Sequence, residues 1–212
     1  MINYPYIFWA LAIGCLIGYG FGRYRVRSFQ NHGESRVSRA IRANFVSPDY
    51  HLLNHITLKL ADGTTQIDHI LVSRFGVFVI ETKAYKGWIF ANPGHAQWTQ
   101  VLFTGKFKFQ NPIAQNRLHL QVVKELLDFL PTSAIKSVVV FAGNAEFKTD
   151  RPSGVFTVSE LVHHLRGCKE EILSINRVQF CVGRLETARL AVTGQTDLEH
   201  VDYLRRRHGL RN

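Results

Sequence analysis

The stretch "DHILVSRFGVFVIETK", Asp68 to Lys83, reads as two apolar runs joined by a tight turn. Short runs such as ILV and VFVI are typical of buried β-strands, so the stretch predicts a β-hairpin. A hairpin requires neither a carboxylate at Asp68 and Glu81 nor an ammonium at Lys83. These charges therefore form either a surface ion pair or a functional site.

The position of the turn decides which side chains face each other. If the turn centres between Arg74 and Phe75, the numbers of opposed residues sum to 149. Asp68 then lies opposite Glu81, Gln66 lies opposite Lys83, and all four share one face. Opposed Cβ atoms lie about 4.5–5.5 Å apart, close enough for two carboxylates to bind one divalent cation. A slip of one residue would place Glu81 on the other face from Asp68.

Two carboxylates held this close repel each other unless a cation or a shared proton compensates their charge. Beside such a cation, the Lys83 ammonium can orient a water molecule and stabilise the charge that develops on a phosphoryl group. The pattern thus indicates phosphodiester hydrolysis. The alternative is that Glu81 and Lys83, two residues apart, only mark the solvated end of a strand.

The rest of the chain predicts an α/β fold with a mixed β-sheet flanked by helices. A helix over 31–45 has Asn31 as its N-cap and an apolar stripe of Val37, Ile41 and Phe45. Strands are predicted over 50–60, from 66, and over 77–83, 87–90, 136–143 and 154–158, with mostly helix from 159. Residues 91–110 are predicted to be irregular or a hairpin.

The clearest helix follows the hairpin, in "NPIAQNRLHLQVVKELLDFLP". Asn111 suits the N-cap, Pro112 suits the first helical position, and Pro131 ends the helix. The predicted inward-facing stripe consists of Gln115, Leu118, Val122, Leu126 and Phe129. Gln115 either caps and pairs within its helix or belongs to a site, since an unpaired amide on a buried stripe is costly.

Composition limits the class of protein. The 212 residues are 46% hydrophobic, enough for one buried domain with an accessory segment. Lysine and arginine outnumber aspartate and glutamate by 26 to 16, which favours a nucleic acid or an anionic membrane as partner. The chain has no glycine-rich phosphate loop ending in Lys-Ser or Lys-Thr and no G-x-S-x-G elbow. Its three cysteines show no paired metal-binding spacing.

The N-terminus predicts a membrane anchor. Residues 1–22 carry no charged side chain, and Arg23, Arg25 and Arg27 follow at once. Residues 6–22 match the length of a transmembrane helix, and the arginines place the following residues in the cytoplasm and the N-terminus outside, as in a single-pass protein of the plasma membrane. A cleaved signal peptide fits less well, because its positive charges precede the apolar run. Self-association through the small residues Gly14, Gly18 and Gly22 is a further expectation.

The blocks "GE" at Gly33-Glu34, "GTTQIDHILVSRFGVFVIETKAYKGWI" and "NPIAQNRLHLQVVKELL" together resemble the nuclease-related domain (NERD) family of the PD-(D/E)XK nuclease superfamily. The resemblance covers roughly residues 33–143 and implies a restriction-endonuclease-like fold that cuts DNA with Mg²⁺ or Mn²⁺. It implies metal-binding carboxylates at Asp68, Glu81 and Glu34, a water-orienting lysine at Lys83, and Gln115 as a helix glutamine beside the site.

Other roles remain open for some of these residues and their neighbours. Glu34 is three residues after Asn31, so it is equally suited to a capping box. His69 is expected in the core, and His51 and His55 are not expected to bind zinc because they lie in a strand. Trp88 and Trp98 are expected in the core or on a groove wall and not as base-stacking platforms.

The sequence thus predicts three parts: a transmembrane helix with a basic collar over 1–27, a NERD-like domain over 28–185, and a helical tail over 186–212. The predicted function is a membrane-anchored, metal-dependent nuclease acting on cytoplasmic DNA. The alternative is a catalytically inactive nucleic-acid-binding or scaffolding domain at the membrane. The excess positive charge serves the nucleic acid, the lipid or both.

Overall fold

The structure is a computed structural model that describes residues 32–61 and 63–190. The predicted anchor, its glycines, the Asn31 cap and residues 191–212 of the predicted tail lie outside these residues. None of the helices in the described ranges is both long enough and apolar enough to span a membrane.

The described chain runs through a helix, six strands, a second helix, three strands and two further helices. The first helix, α1, covers 32–44. The strands are β1 (Tyr50–Leu60), β2 (Gly63–Ser73), β3 (Gly76–Lys83), β4 (Gly87–Phe90), β5 (Gln97–Leu102), β6 (Gly105–Gln110), β7 (Ile135–Phe141), β8 (Ala145–Phe147) and β9 (Val155–Thr157). The further helices are α2 (Pro112–Leu126), α3 (Val158–Gly167) and α4 (Ile175–Ala188), with a 3₁₀ turn over Thr132–Ala134.

The strands form two mixed sheets, where the sequence predicted one. The main sheet has five strands in the order β1-β2-β3-β7-β9, and the second has four in the order β6-β5-β4-β8. In the main sheet, β1, β2 and β3 are antiparallel and β7 and β9 join in parallel. Residues 91–110, predicted as irregular or a hairpin, include the antiparallel hairpin of β5 and β6.

The main sheet is covered by helices on both faces, which makes three layers. One apolar core joins the sheet to α2 and α4 and contains Val79, Val123 and Val178. The other joins it to α1 and α3, and it contains the predicted α1 stripe of Val37, Ile41 and Phe45. A third core, around Trp98, packs the second sheet against β7.

Strand alternation slips by one residue in the middle of β1 and β2. Leu53 and Ile56 pack in the same core although they are three residues apart, and so do Ile67 and Ile70. Regular strands would place residues three apart on opposite faces. The slip coincides with His55, whose left-handed φ of 51° interrupts the pairing between Asn54↔His69 and Ile56↔Ile67. Such a backbone is rare for a residue other than glycine and concentrates at functional sites.

The slip corrects one prediction about the hairpin. Gln66 was expected on the face shared by Asp68, Glu81 and Lys83. Instead, Thr65 is buried on that face and contacts α2, because the alternation of β2 changes between Ile67 and Ile70.

The buried face of α2 also differs from the predicted stripe. Beyond Pro112 at the start of the helix, the buried positions are Asn116, His119 and Val123, whereas Gln115, Leu118, Val122 and Leu126 are only partly buried. The helix is rotated by about one residue from the apolar pattern. The physical reason is that Asn116 and His119 find polar partners in the sheet, which removes the desolvation cost of burying them.

Candidate active site

The hairpin of β2 and β3 has the predicted register. Ser73 pairs with Gly76 and His69 with Ile80, so the residue numbers sum to 149 and the turn lies at Arg74-Phe75. The backbone ladder ends at His69↔Ile80, and the amide of Thr82, two residues further along β3, donates to Oδ2 of Asp68 at 2.7 Å. Asp68 thus takes the place of a ladder acceptor where the two strands separate, and its carboxylate lies beside Glu81.

Lys83 joins the hairpin to α2 through two hydrogen bonds. Its Nζ atom donates to Oε1 of Glu81 at 2.6 Å and to Oε1 of Gln115 at 3.0 Å. Glu81 is almost fully buried, and Lys83 is only slightly exposed. Gln115 therefore meets the catalytic candidates of the hairpin, although it lies beside the most buried stripe of its helix.

His119 is a site neighbour that the sequence analysis missed. Its Nε2 lies 3.3 Å from Oε2 of Glu81, and its Nδ1 lies 2.8 Å from the hydroxyl of Thr65. If Thr65 donates to Nδ1, the imidazole proton lies on Nε2, the ring nitrogen that lies 3.3 Å from Glu81 but forms no well-aligned hydrogen bond with it. The available signal was spacing, because Gln115 and His119 are four residues apart and share one face of α2.

Asn116, also missed, fixes α2 to the main sheet. Its side-chain amide donates to the carbonyl oxygens of Val79 at 2.9 Å and Val138 at 3.0 Å, and to Oγ of Ser137 at 2.8 Å. These bonds connect the helix to both β3 and β7. They set the position from which Gln115 and His119 reach the hairpin.

Glu34 approaches the site from the start of α1. Gly33 allows this approach, because a Cβ atom there would lie only 2.7 Å from the Cβ of Ala84, the residue after Lys83. Oε2 of Glu34 lies 3.2 Å from Nδ1 of His55. The close contact with Ala84 thus explains why a glycine precedes Glu34. Glu34 in turn gives His55, the residue with the left-handed backbone, a polar partner on α1.

The three carboxylates influence one another electrostatically. Burial and the charge of Glu81 raise the pKa of Glu34 to about 7, against the opposing effect of Lys83. Burial, Glu81 and Glu34 raise the pKa of Asp68 well above its ordinary value. Burial also acts to raise the pKa of Glu81, but Lys83 and His119 outweigh it, so that the pKa of Glu81 is lowered. Glu81 is therefore the ionised carboxylate of the three, and ionisation of Asp68 and Glu34 is disfavoured.

Within the described ranges, no three His, Cys, Asp or Glu side chains stand close enough together to hold a metal ion as a group. Lys83 occupies one oxygen of Glu81, and His119 stands beside the other. Oε2 of Glu81 is nevertheless a buried oxygen that lacks a well-formed hydrogen bond.

A surface groove of about 500 Å³ adjoins Glu34 and His55. Ser35, Ser38 and two arginines, Arg39 and Arg42, also line it. The groove thus places guanidinium groups, which suit phosphate oxygens, next to one carboxylate of the site.

His69 and Trp98 lie in the core, as predicted. His69 is fully buried, and its Nδ1 lies 2.8 Å from Oδ1 of Asn54. Burial lowers the pKa of His69 to about 3, which keeps it neutral. His51 and His55 lie in β1, Trp98 is a core residue, and Trp88 lines a groove on the second sheet.

Comparison with known proteins identifies a family and a relative. The profile of the nuclease-related domain family matches residues 30–142, more than half of the 212 residues. An uncharacterized protein from Bacillus anthracis is 41% identical over 97 residues, which are 45% of this chain and 45% of that protein. The chain thus spans less than half the length of that relative.

Proposed function

Because the chain belongs to the nuclease-related domain family, we propose that it is a metal-dependent nuclease that hydrolyses DNA phosphodiester bonds. The observation that carries this proposal is the meeting of Asp68, Glu81 and Lys83 at the end of one hairpin, with Gln115 bonded to the lysine. The mixed five-stranded sheet, covered on both faces, supports the inference of a restriction-endonuclease-like fold.

The residues of the site have separate roles in this proposal. Lys83 positions the attacking water and stabilises the developing negative charge on the phosphate. Gln115 holds the Lys83 ammonium, and His119 stabilises the ionised form of Glu81 from the other side. Arg39 and Arg42 bind backbone phosphates in the groove beside Glu34.

The donor set is suited to Mg²⁺ or Mn²⁺. Carboxylate oxygens are the ligands these ions prefer, and Mg²⁺ keeps several waters while binding one or two carboxylates. Asp68 and Glu81 would hold the ion, with Glu34 as a third ligand. The raised pKa values of Asp68 and Glu34 indicate that their ionised forms lack compensating charge, which a cation would supply, and Oε2 of Glu81 is a buried oxygen without a hydrogen bond. When bound, the ion supplies Lewis-acid activation of water and of the phosphoryl oxygen.

A cleavage assay on the full-length protein tests the proposal. The protein should cut a DNA substrate in the presence of Mg²⁺ or Mn²⁺, and EDTA should stop the reaction because the carboxylates alone cannot activate water. Affinity for DNA should fall steeply with added salt, since phosphate contacts release counterions. If the protein binds DNA but does not cut it with either ion, the catalytic proposal fails, and the alternative of a nucleic-acid-binding or scaffolding domain is supported.

We further propose that residues 6–22 anchor the domain to the plasma membrane, with the domain on the cytoplasmic side. The support is the uncharged run before Arg23, Arg25 and Arg27. The full chain should sediment with membranes, resist extraction by high salt and dissolve in detergent. A reporter fused after Asn212 should function only inside the cell, and activity of that reporter outside would contradict the orientation.

A further inference from the structure

The outer face of the second sheet carries exposed aromatic side chains. Ile89 is fully buried against the main sheet, whereas Trp88 and Phe90 on either side of it are 49% and 40% exposed. Residues two apart on a strand share a face and lie about 6.6 Å apart along it. The two rings therefore form a short row on the solvent face of β4.

Lysines lie on the same face, on the neighbouring strands. Trp88 pairs with Val101, which pairs with Lys106, and Phe90 pairs with Thr99, which pairs with Lys108. Residues paired directly across strands share a face. Each aromatic ring thus has an exposed lysine two strands away, in matching register.

The ends of the strands add further positive charge. Nζ of Lys148 lies 4.9 Å from the centre of the Trp88 ring and pairs with Glu146, and Lys86 precedes β4. Glu146 is the only acidic residue in the four strands. A groove of about 420 Å³ beside Trp88 is lined by Val101, Leu102 and the fully exposed Phe103. The face therefore combines flat apolar surfaces with net positive charge.

From this arrangement we propose that the outer face of the second sheet binds single-stranded nucleic acid. Bases stack on Trp88 and Phe90, while Lys106, Lys108 and Lys148 neutralise the backbone phosphates. Aromatic side chains can stack only on bases released from a duplex, so the face selects unpaired strands. A base on Trp88 displaces the Lys148 ammonium from the ring, and a phosphate then competes with Glu146 for that ammonium.

The position of this face connects it with the candidate active site. Trp88 is five residues after Lys83, so their Cα atoms are at most about 18 Å apart. If the protein is a nuclease, this face would favour substrates with an unpaired segment next to the cleavage point, and this part of the inference rests on the proposed function. As a binding surface it stands on the aromatic and lysine register alone.

The binding test uses the full-length protein in detergent, with EDTA present to prevent cleavage. The probes are a fluorescein-labelled 20-nucleotide oligothymidylate and a 20-base-pair duplex, followed by fluorescence anisotropy. The Trp88→Ala and Phe90→Ala double variant should bind the single strand more weakly, by about fivefold or more for each ring removed. Its affinity for the duplex should change little. The matched control is Phe180→Ala, which removes an exposed ring on α4.

Two further measurements separate the contributions. The Lys106→Ala and Lys108→Ala double variant should reduce the salt dependence of single-strand binding by about 1.4 in slope, while Lys59→Ala on β1 leaves the slope unchanged. The difference between the tryptophan emission of the wild type and that of the Trp88→Phe variant is the emission of Trp88. Unlabelled oligothymidylate should quench that emission. In a detergent-free sample of the protein reconstituted into vesicles, quenching of that emission by brominated phosphatidylcholine and not by the oligonucleotide would overturn the inference and assign the face to lipid.

The outcomes distinguish this inference from the proposed function. Equal single-strand affinities of the wild type and the Trp88/Phe90 double variant overturn the inference, even if the protein cuts DNA. Binding that depends on Trp88 in a protein that cuts nothing with Mg²⁺ or Mn²⁺ supports the inference and refutes the proposed function.

Discussion

Replacing Glu81 with glutamine should lower metal-dependent cleavage by about a hundredfold to a thousandfold and should also destabilise the protein. The loss of rate follows from the loss of a proposed metal ligand, which contributes several kcal/mol of transition-state stabilisation. The loss of stability follows because Lys83, only slightly exposed, loses its anionic partner at 2.6 Å. Breaking a buried pair costs up to about 3–5 kcal/mol, and the glutamine oxygen, still able to accept from Lys83, reduces this figure.

The pH dependence of the Glu81→Gln effect has a defined sign. Because the pKa of Glu81 is lowered in the folded protein, its stabilising effect is present above the ordinary value of 4.5 and is lost as the pH falls through the folded value. The stability difference from the wild type should therefore shrink on acidification. Denaturant unfolding in EDTA at pH 4, 6 and 8 measures it. Glu125→Gln, an exposed change on α2, is the control.

Asp68→Asn is the informative partner variant, since it should abolish cleavage while stabilising the metal-free protein. Its amide oxygen can still accept from Thr82, and it removes a charge that burial, Glu81 and Glu34 disfavour. Because the pKa of Asp68 is raised above its ordinary value of 3.8, its ionisation costs the folded protein stability once the pH exceeds 3.8. The Asp68→Asn variant should therefore match the wild type in stability near pH 3.8 and exceed it increasingly at higher pH. Cleavage at the wild-type rate by either variant would show that the site assignment is wrong.

Replacing Lys83 with methionine should reduce single-turnover cleavage by about a hundredfold or more, because the substitution removes the charge proposed to stabilise the transition state. Affinity for Mn²⁺ should be retained or tightened, since the ammonium no longer competes for the oxygen of Glu81. Calorimetric titration with Mn²⁺ in the absence of DNA measures the affinity.

Lys59→Met on β1 serves as the control for the loss of a lysine. Melting curves must accompany the Lys83→Met measurement, because Glu81 then loses its ammonium partner at 2.6 Å. Equal losses of Mn²⁺ affinity and cleavage rate would make Lys83 a structural residue.

The position of the acidic pair could be predicted from the sequence because it depends on local rules. Strand alternation and a turn at Arg74-Phe75 are enough to place Asp68 beside Glu81, and the structure has this register. The apolar stripe of α1 follows equally from helical periodicity. These features involve residues close together in the chain, where the pattern of apolar side chains determines which faces are buried.

The other features depend on partners that are distant in the chain. A stripe defined by apolar residues leaves out Asn116 and His119, because both are polar. They are buried because their hydrogen-bond partners lie on β2, β3 and β7, and the sequence of α2 carries no information about those partners. The slip at His55 is a backbone conformation that neither its residue type nor its neighbours indicate. Division into two sheets depends on the partners of β4, which pairs with β5 and with β8, a three-residue strand more than 50 residues away, and not with β3.

The placement of β4, β5 and β6 between Lys83 and α2 has a consequence for how the protein can evolve. The chain departs from the main sheet after β3, forms these three strands, and reaches the helix that covers the main sheet at Asn111, whose side chain caps α2. Insertions or deletions in the β5–β6 hairpin leave the register of β2 and β3 unchanged, because no strand of the second sheet pairs with either of them. Selection can therefore reshape the outer face of the second sheet, and with it the choice of ligand, while the acidic pair stays in place. If both proposals hold, catalysis and recognition occupy separately variable parts of one domain.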